Sequence, residues 1–179
     1  MFKYILGAVA FAVAILGVEV RTAAADELYG KFTIGQAVNT EAAGVDLSDD
    51  LAYGVAVGGR LGPARIELGV SRIGADTAGI SISAIDYSAT AFLDLPVSER
   101  GAFFAGVGLD YLTAEAGVAF FTVDGEGDGW HYTGGYAHRF TNDLTVEIGV
   151  NHLEADLDFS GYSIETSTDV AYVGARFAL

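Results

Sequence analysis

Ten charged residues recur at alternate positions in stretches that are otherwise apolar or rich in glycine. Five are basic (Lys31, Arg60, Arg65, Arg139 and Arg176) and five are acidic (Glu67, Asp86, Asp94, Asp110 and Glu147). A spacing of two puts such residues on one face of an extended chain. Gathered on a shared inner face, equal numbers of cations and anions neutralise one another. The chemistry this predicts is ion pairing, for which the planar fork of Arg is well suited. Gly54, Gly58, Gly69, Gly106, Gly108, Gly135, Gly149 and Gly174 share that face and leave room for the long side chains.

Other constellations are incomplete. Asn151-His152-Leu153-Glu154 sets a base near a carboxylate. A hydrolytic site also needs a nucleophile activated by its base, and the position two after His152 holds Glu154, not Ser. Asp124-x-Glu126-x-Asp128-Gly129 resembles the front half of a calcium-binding loop, but the twelfth position is Gly135, where a bidentate Glu is required. The chain has no cysteine, which excludes disulfides, thiol chemistry and Cys-based metal sites. The expectation is no catalytic residue, no cofactor and no dedicated metal site.

The elements that must position the ten charges are strands. The alternation predicts eight, near 27–38, 51–61, 64–74, 80–95, 102–115, 128–140, 144–156 and 165–179. Most reach the length of roughly 9–11 residues that a tilted membrane strand needs. Leu144, Val146, Ile148 and Val150 alternate with Thr145, Glu147, Gly149 and Asn151, for example. Connections are expected to alternate in length. Short turns fall at Gly62-Pro63, at Pro96 to Gly101 and at Thr141-Asn142-Asp143, and longer acidic loops fall between them. Both prolines, Pro63 and Pro96, sit in short turns, where no ladder hydrogen bond is lost. The apolar face carries Tyr53, Tyr87, Tyr111, Trp130 and Tyr132 near the loop ends, and Phe103, Phe140 and Phe177 near the turn ends. Two aromatic girdles around an apolar band are what a barrel presents to the two interfaces of a bilayer. A secreted soluble β-domain alternates too, with its apolar face inward, but gives no reason for girdles.

At the start of the chain, Lys3, the apolar run Ile5 to Val18 and Ala23-Ala24-Ala25 form the three-part pattern of a secretory signal peptide. Cleavage is expected after Ala25, leaving 26–179 as one domain. The chain carries 9 basic and 24 acidic residues, a net charge of −15, which argues against a nucleic-acid partner. If the remainder crosses a membrane, it must do so as a closed barrel that pairs every backbone group internally. The predicted fold is therefore all-β, an eight-stranded antiparallel up-and-down transmembrane β-barrel.

Signal, eight strands, alternating turns and loops, paired inner charges and a terminal strand ending Ala171-Tyr172-Val173-Gly174-Ala175-Arg176-Phe177-Ala178-Leu179 together resemble the small outer-membrane barrels of the outer-membrane protein A and X type and the opacity-protein type. The resemblance implies a Gram-negative outer membrane and a structural or surface-interaction role. It implies contact with outer-membrane lipid and lipopolysaccharide, insertion by the barrel assembly machinery, and an unidentified extracellular ligand for the loops. One departure stands out: those families usually end in an aromatic residue, and this chain ends in Leu179 with Phe177 two positions earlier. The alternatives to a plugged, non-enzymatic barrel are a narrow porin-like channel and a lipid A-modifying enzyme.

Overall fold

A computed structural model describes residues 27–42, 45–47, 50–77, 80–118, 121–159 and 161–179. The expected signal peptide, 1–25, lies outside the described residues. Among the described residues nine strands follow in chain order: β1 (Glu27–Ala42), β2 (Val45–Leu47), β3 (Leu51–Leu61), β4 (Ala64–Thr77), β5 (Ile80–Pro96), β6 (Gly101–Val118), β7 (Phe121–Arg139), β8 (Leu144–Phe159) and β9 (Tyr162–Ala178). Eight of them form an up-and-down antiparallel ring in the order β1-β3-β4-β5-β6-β7-β8-β9, closed by the pairing of β1 with β9. The short β2 folds back on the end of β1, with Thr40 opposite Leu47.

Closure pairs the last strand along its length, from Tyr29 opposite Ala178 to Ala42 opposite Thr166. A bulge at Ala37/Asn39 interrupts this seam, and an extra residue on one strand reverses which residues face out. Beyond it Asn39 lies outside and Thr40 inside, where Thr168 Oγ1 donates to Thr40 Oγ1 at 2.8 Å. The β3–β4 turn needs its glycine: Gly62 has φ of +60°, which a side chain disfavours.

The turn-side connections lie where the alternation placed them. The loop-side connections are shorter than expected: β1 runs on to Ala42 and β4 to Thr77, and β2 fills part of the first loop. Residues 116–127 and 157–164, expected as parts of long acidic loops, are mostly strand. Glu115 pairs with Asp124, and Thr113 with Glu126, across β6–β7. Asp156 pairs with Glu165 across β8–β9. Asp and Gly are depleted in strands because they pack poorly on a pleated surface, so their abundance here conceals the elements. The backbone ladder is indifferent to those side chains, and the hairpins continue past the bilayer.

The core is inside the ring and the apolar exterior is exposed, as a membrane solvent requires. Leu109 is 69% exposed and Val107 63%, while Arg65 and Glu147 are fully buried.

The lumen and the outer wall as candidate functional sites

The turn-side half of the lumen is a packed charge network. In register, Arg60 lies directly opposite Arg65 and Lys31 directly opposite Arg176. Like charges so placed repel, and each pair is offset by a carboxylate from another strand. Asp94 meets Arg65 Nε at 3.0 Å and Arg60 Nη2 at 3.4 Å. Glu147 meets Lys31 Nζ at 3.0 Å, Arg65 Nη2 at 3.2 Å and Arg176 Nε at 2.8 Å. These Glu147 contacts are charge contacts, without the alignment of hydrogen bonds. Glu67 completes the set: it pairs with Arg65, accepts from Lys31 Nζ at 2.9 Å and accepts from Tyr29 Oη at 2.7 Å. Gly58 makes this possible, since a Cβ there would lie 2.6 Å from the Tyr29 ring.

Aromatic rings brace the cations. The Arg65 guanidinium stacks 3.8 Å from the centroid of Phe92, whose edge meets Phe104 at 6.0 Å. Lys31 Nζ lies between the rings of Phe92 and Tyr172, at 5.4 and 5.5 Å. Tyr29, Phe92, Phe104 and Tyr172 are members of the site that the charge pattern alone did not single out. The available signal was their position two residues, or a multiple of two, from a charged inner residue.

Seven of the ten charges thus come together: Lys31, Arg60, Arg65, Glu67, Asp94, Glu147 and Arg176. Three stand apart. Arg139 is exposed at the turn-side mouth and donates to the Glu99 carbonyl at 2.7 Å. It lies too near the strand end to reach the network. Asp86 and Asp110 lie deeper, near the middle of the barrel. Asp110 is bound to His131 Nδ1 at 2.7 Å, and Asp86 accepts from Ser71 Oγ at 3.1 Å. They sit one layer above the cations, whose charge is already taken by nearer carboxylates.

The loop-side half of the lumen has a different chemistry. Leu112, Ala114, Leu153, Ala155 and Leu157 form a buried apolar cluster, with Ile73, Ala84 and Phe159 packed against it. In β8 the apolar parity switches from even positions (Leu144 to Val150) to odd ones (Leu153, Ala155 and Leu157). That switch is visible in the sequence and marks where the outside changes from lipid to water. Among the described residues, side chains do not fill the lumen throughout. A cavity of about 130 Å³ lies at mid-height, lined by Asp86, Ser88, Thr90 and His131 among others. Another of about 190 Å³ opens at the turn side between Arg60, Arg100, Arg139 and Arg176.

Outside, Tyr53, Tyr87, Trp130 and Tyr132 are exposed at one rim, with Tyr111 half-buried, and Phe103, Phe140 and Phe177 are exposed at the other. Above the first rim stands an acidic wall: Glu115, Asp124, Glu126, Glu154, Asp156, Asp158 and Glu165 are exposed, and Asp128 is half-buried. Asp128 lies opposite Asp156, and Glu126 opposite Asp158. Asp124, Glu126 and Asp128 are strand residues and not a cation-binding loop. Among the described residues, no three His, Asp or Glu side chains are arranged to hold a metal ion.

His152 marks the base of this wall. It stacks on Tyr132 at 4.8 Å, and its nitrogens meet Asp169 Oδ1 at 2.6 Å and Glu154 Oε1 at 3.2 Å. With carboxylates on both ring nitrogens, the imidazole has no lone pair directed at a hydroxyl nucleophile.

A closed antiparallel ring with a lipid-compatible, aromatic-rimmed exterior and a charged interior is a transmembrane barrel of the outer-membrane class. The chain belongs to the outer membrane protein beta-barrel domain family, which it matches over residues 9–177. It is an integral protein of the Gram-negative outer membrane, in contact with that membrane's lipid. Neisserial surface protein A has a similar structure, with a TM-score of 0.76 and 12% identity over 85% of this chain and 97% of that one. OprG from Pseudomonas aeruginosa gives a TM-score of 0.62 and 9% identity over 86% of this chain and 95% of that one. Ail of Yersinia pestis, in complex with the heparin analogue sucrose octasulfate, gives a TM-score of 0.52 and 16% identity over 84% and 99%. At these identities the likeness is one of fold. No curated protein matches the chain in sequence.

Proposed function

We propose that this protein is a non-enzymatic, non-conducting outer-membrane barrel whose lumen is plugged by paired charges and whose acidic outer wall is its working surface. The observation that carries this reading is a contrast of faces. Arg65 and Glu147 are fully buried and the mid-height and turn-side cavities share no lining residue, while the wall above the girdle exposes many carboxylates and few cations. A barrel of eight strands has an interior just wide enough to be filled by side chains, and here the filling costs less because each buried charge in the turn-side half faces an opposite one.

The wall suits cationic partners. Divalent ions bridging it to the phosphates of lipopolysaccharide are one such partner, and a basic extracellular segment is another. A polyanion of the kind bound by Ail is the wrong sign for it. Residues 1–25 act as the export signal, and the barrel assembly machinery inserts the barrel. His152, held between two acids with no Ser two positions on, supports a structural and not a hydrolytic role.

Purified protein reconstituted in a planar bilayer tests the plug: no unitary conductance steps are expected. Defined steps abolished by altering Arg60 or Asp94 would establish the channel reading instead. Flotation with lipopolysaccharide vesicles tests the wall. Binding that needs divalent cations and weakens in the Asp156→Asn/Asp158→Asn double variant is expected. Binding unchanged by chelator and by that variant would overturn it.

A further inference from the structure

Asp86 and Asp110 are each more than nine-tenths buried and are diagonal neighbours on the inner face of adjacent strands, two residues out of register. Asp86 Oδ2 accepts from Ser71, but Asp86 Oδ1 has no hydrogen-bond partner. Lys31, which lines the same cavity as Asp86, is committed to Glu67 and Glu147 at 2.9 and 3.0 Å. His131 faces Asp110 with Nδ1 and the Thr90 hydroxyl with Nε2, at 3.0 Å. Among the described residues neither acid pairs with a Lys or Arg. A single imidazole beside two adjacent buried carboxylates leaves at least one negative charge unbalanced, which is strongly unfavourable.

We propose that Asp86 and Asp110, with the hydroxyls of Ser71 and Ser88, hold one hard divalent cation of the calcium class inside the barrel. The oxygen groups are arrayed on three adjacent strands. Ser71 lies opposite Asp86 across β4–β5, and Ser88 opposite Asp110 across β5–β6. Gly69 and Gly108 open the same wall: a Cβ at Gly69 would crowd Ser88 Oγ at 2.9 Å, and one at Gly108 would strike His131. The cavity of about 130 Å³ that Asp86, Ser71 and Ser88 line holds several waters, since one needs roughly 10–15 Å³. Two carboxylates, two hydroxyls and water supply the six to eight oxygens that calcium takes in flexible geometry. A proton shared between the acids would neutralise one charge, but it needs neither the hydroxyl array nor the water space.

The apolar cluster lies above this cavity and the charge network below it, so the ion is expected to exchange slowly. The test uses the full-length protein, purified folded from outer membranes of cells grown with calcium and desalted through chelator. Emission spectrometry is expected to find about one calcium per chain that resists the chelator, as one oxygen-ligated site predicts. Asp86→Asn and Asp110→Asn should lose it, whereas Asp156→Asn on the outer wall should keep it. Refolding wild type with calcium should raise its unfolding midpoint by about 5–10 °C over refolding in chelator, the scale for a ligand near 100 times its Kd. The shift should be absent in Asp86→Asn. No retained calcium in wild type, or equal retention in Asp86→Asn and Asp110→Asn, would overturn the site and leave a shared proton as the neutralising group. Should both variants fail to fold, the wild-type stoichiometry alone decides.

Discussion

The two halves of the lumen are built from the same eight strands and are closed by opposite means. The turn-side half is filled by Lys31, Arg60, Arg65, Arg176, Glu67, Asp94 and Glu147, braced by aromatic rings. The loop-side half is filled by Leu112, Leu153, Leu157 and alanines. The difference follows from what lies outside. Around the turn-side half the exterior is lipid, so strand alternation spends its apolar residues outward and leaves polar ones inside. Around the loop-side half the exterior is water. There the acids Asp124, Glu126, Asp156 and Asp158 take the outside, and the apolar residues turn in. One barrel therefore holds an inverted core and an ordinary one, stacked end to end.

The comparison can be broken most sharply at Glu147. Glu147→Ala leaves Lys31, Arg65 and Arg176 facing one another, and breaking a buried pair on one side costs about 3–5 kcal/mol. Urea titration of the folded barrel, followed by heat-modifiable gel migration, should show that loss. A cost below about 1 kcal/mol would mean the network is hydrated and not packed. In the other half, Leu112→Ala removes apolar volume without stranding a charge. The expected cost is about 2–3 kcal/mol, near the low end for buried Leu, read by the same titration, and the bilayer should remain silent because the charge network still closes the turn side.

A smaller effect separates inside from outside at a single atom. Gly58→Ala pushes a methyl into the Tyr29 ring, whose nearest atoms lie at 2.6 Å from the Cβ position. Overpacking of this kind costs about 1–3 kcal/mol. Gly134→Ala, on the lipid side, meets only the Phe104 carbonyl at 3.5 Å and should change stability by less than about 0.5 kcal/mol. Equal effects at the two glycines would mean that the lumen yields as readily as lipid. The smallest effect is on the wall. Asp156→Asn relieves the opposed pair with Asp128 and should stabilise by about 0.2–1 kcal/mol at low salt. The gain should fade as ionic strength rises, because exposed charges are screened over about 8–10 Å.

Strand existence and facing were legible wherever lipid forces a strict alternation, as in Leu144 to Val150 or Phe103 to Leu109. The extended hairpins were not, because stretches such as Asp-Gly-Glu-Gly-Asp-Gly at 124–129 carry the composition of loops. Their pairing is a property of the backbone ladder, extended from strands already in register. The ten charges were legible as an inward set, but their partition was not. That Asp94 answers Arg60 and Arg65 while Asp86 answers neither depends on height in the barrel, which period-2 spacing does not encode.

By itself the sequence determined which residues face in and which face out, since a period of two needs no knowledge of partners. It also determined that the ring must close, because an unpaired edge cannot persist in lipid. Only the tertiary structure decided who meets whom. Strand stagger sets which layers coincide, and with it places Glu147 among three cations from three other strands. It leaves Asp86 and Asp110 together at mid-height without one, and it raises acid opposite acid above the membrane. Those meetings depend on register across the barrel, which arises from closure and cannot be read from one strand at a time.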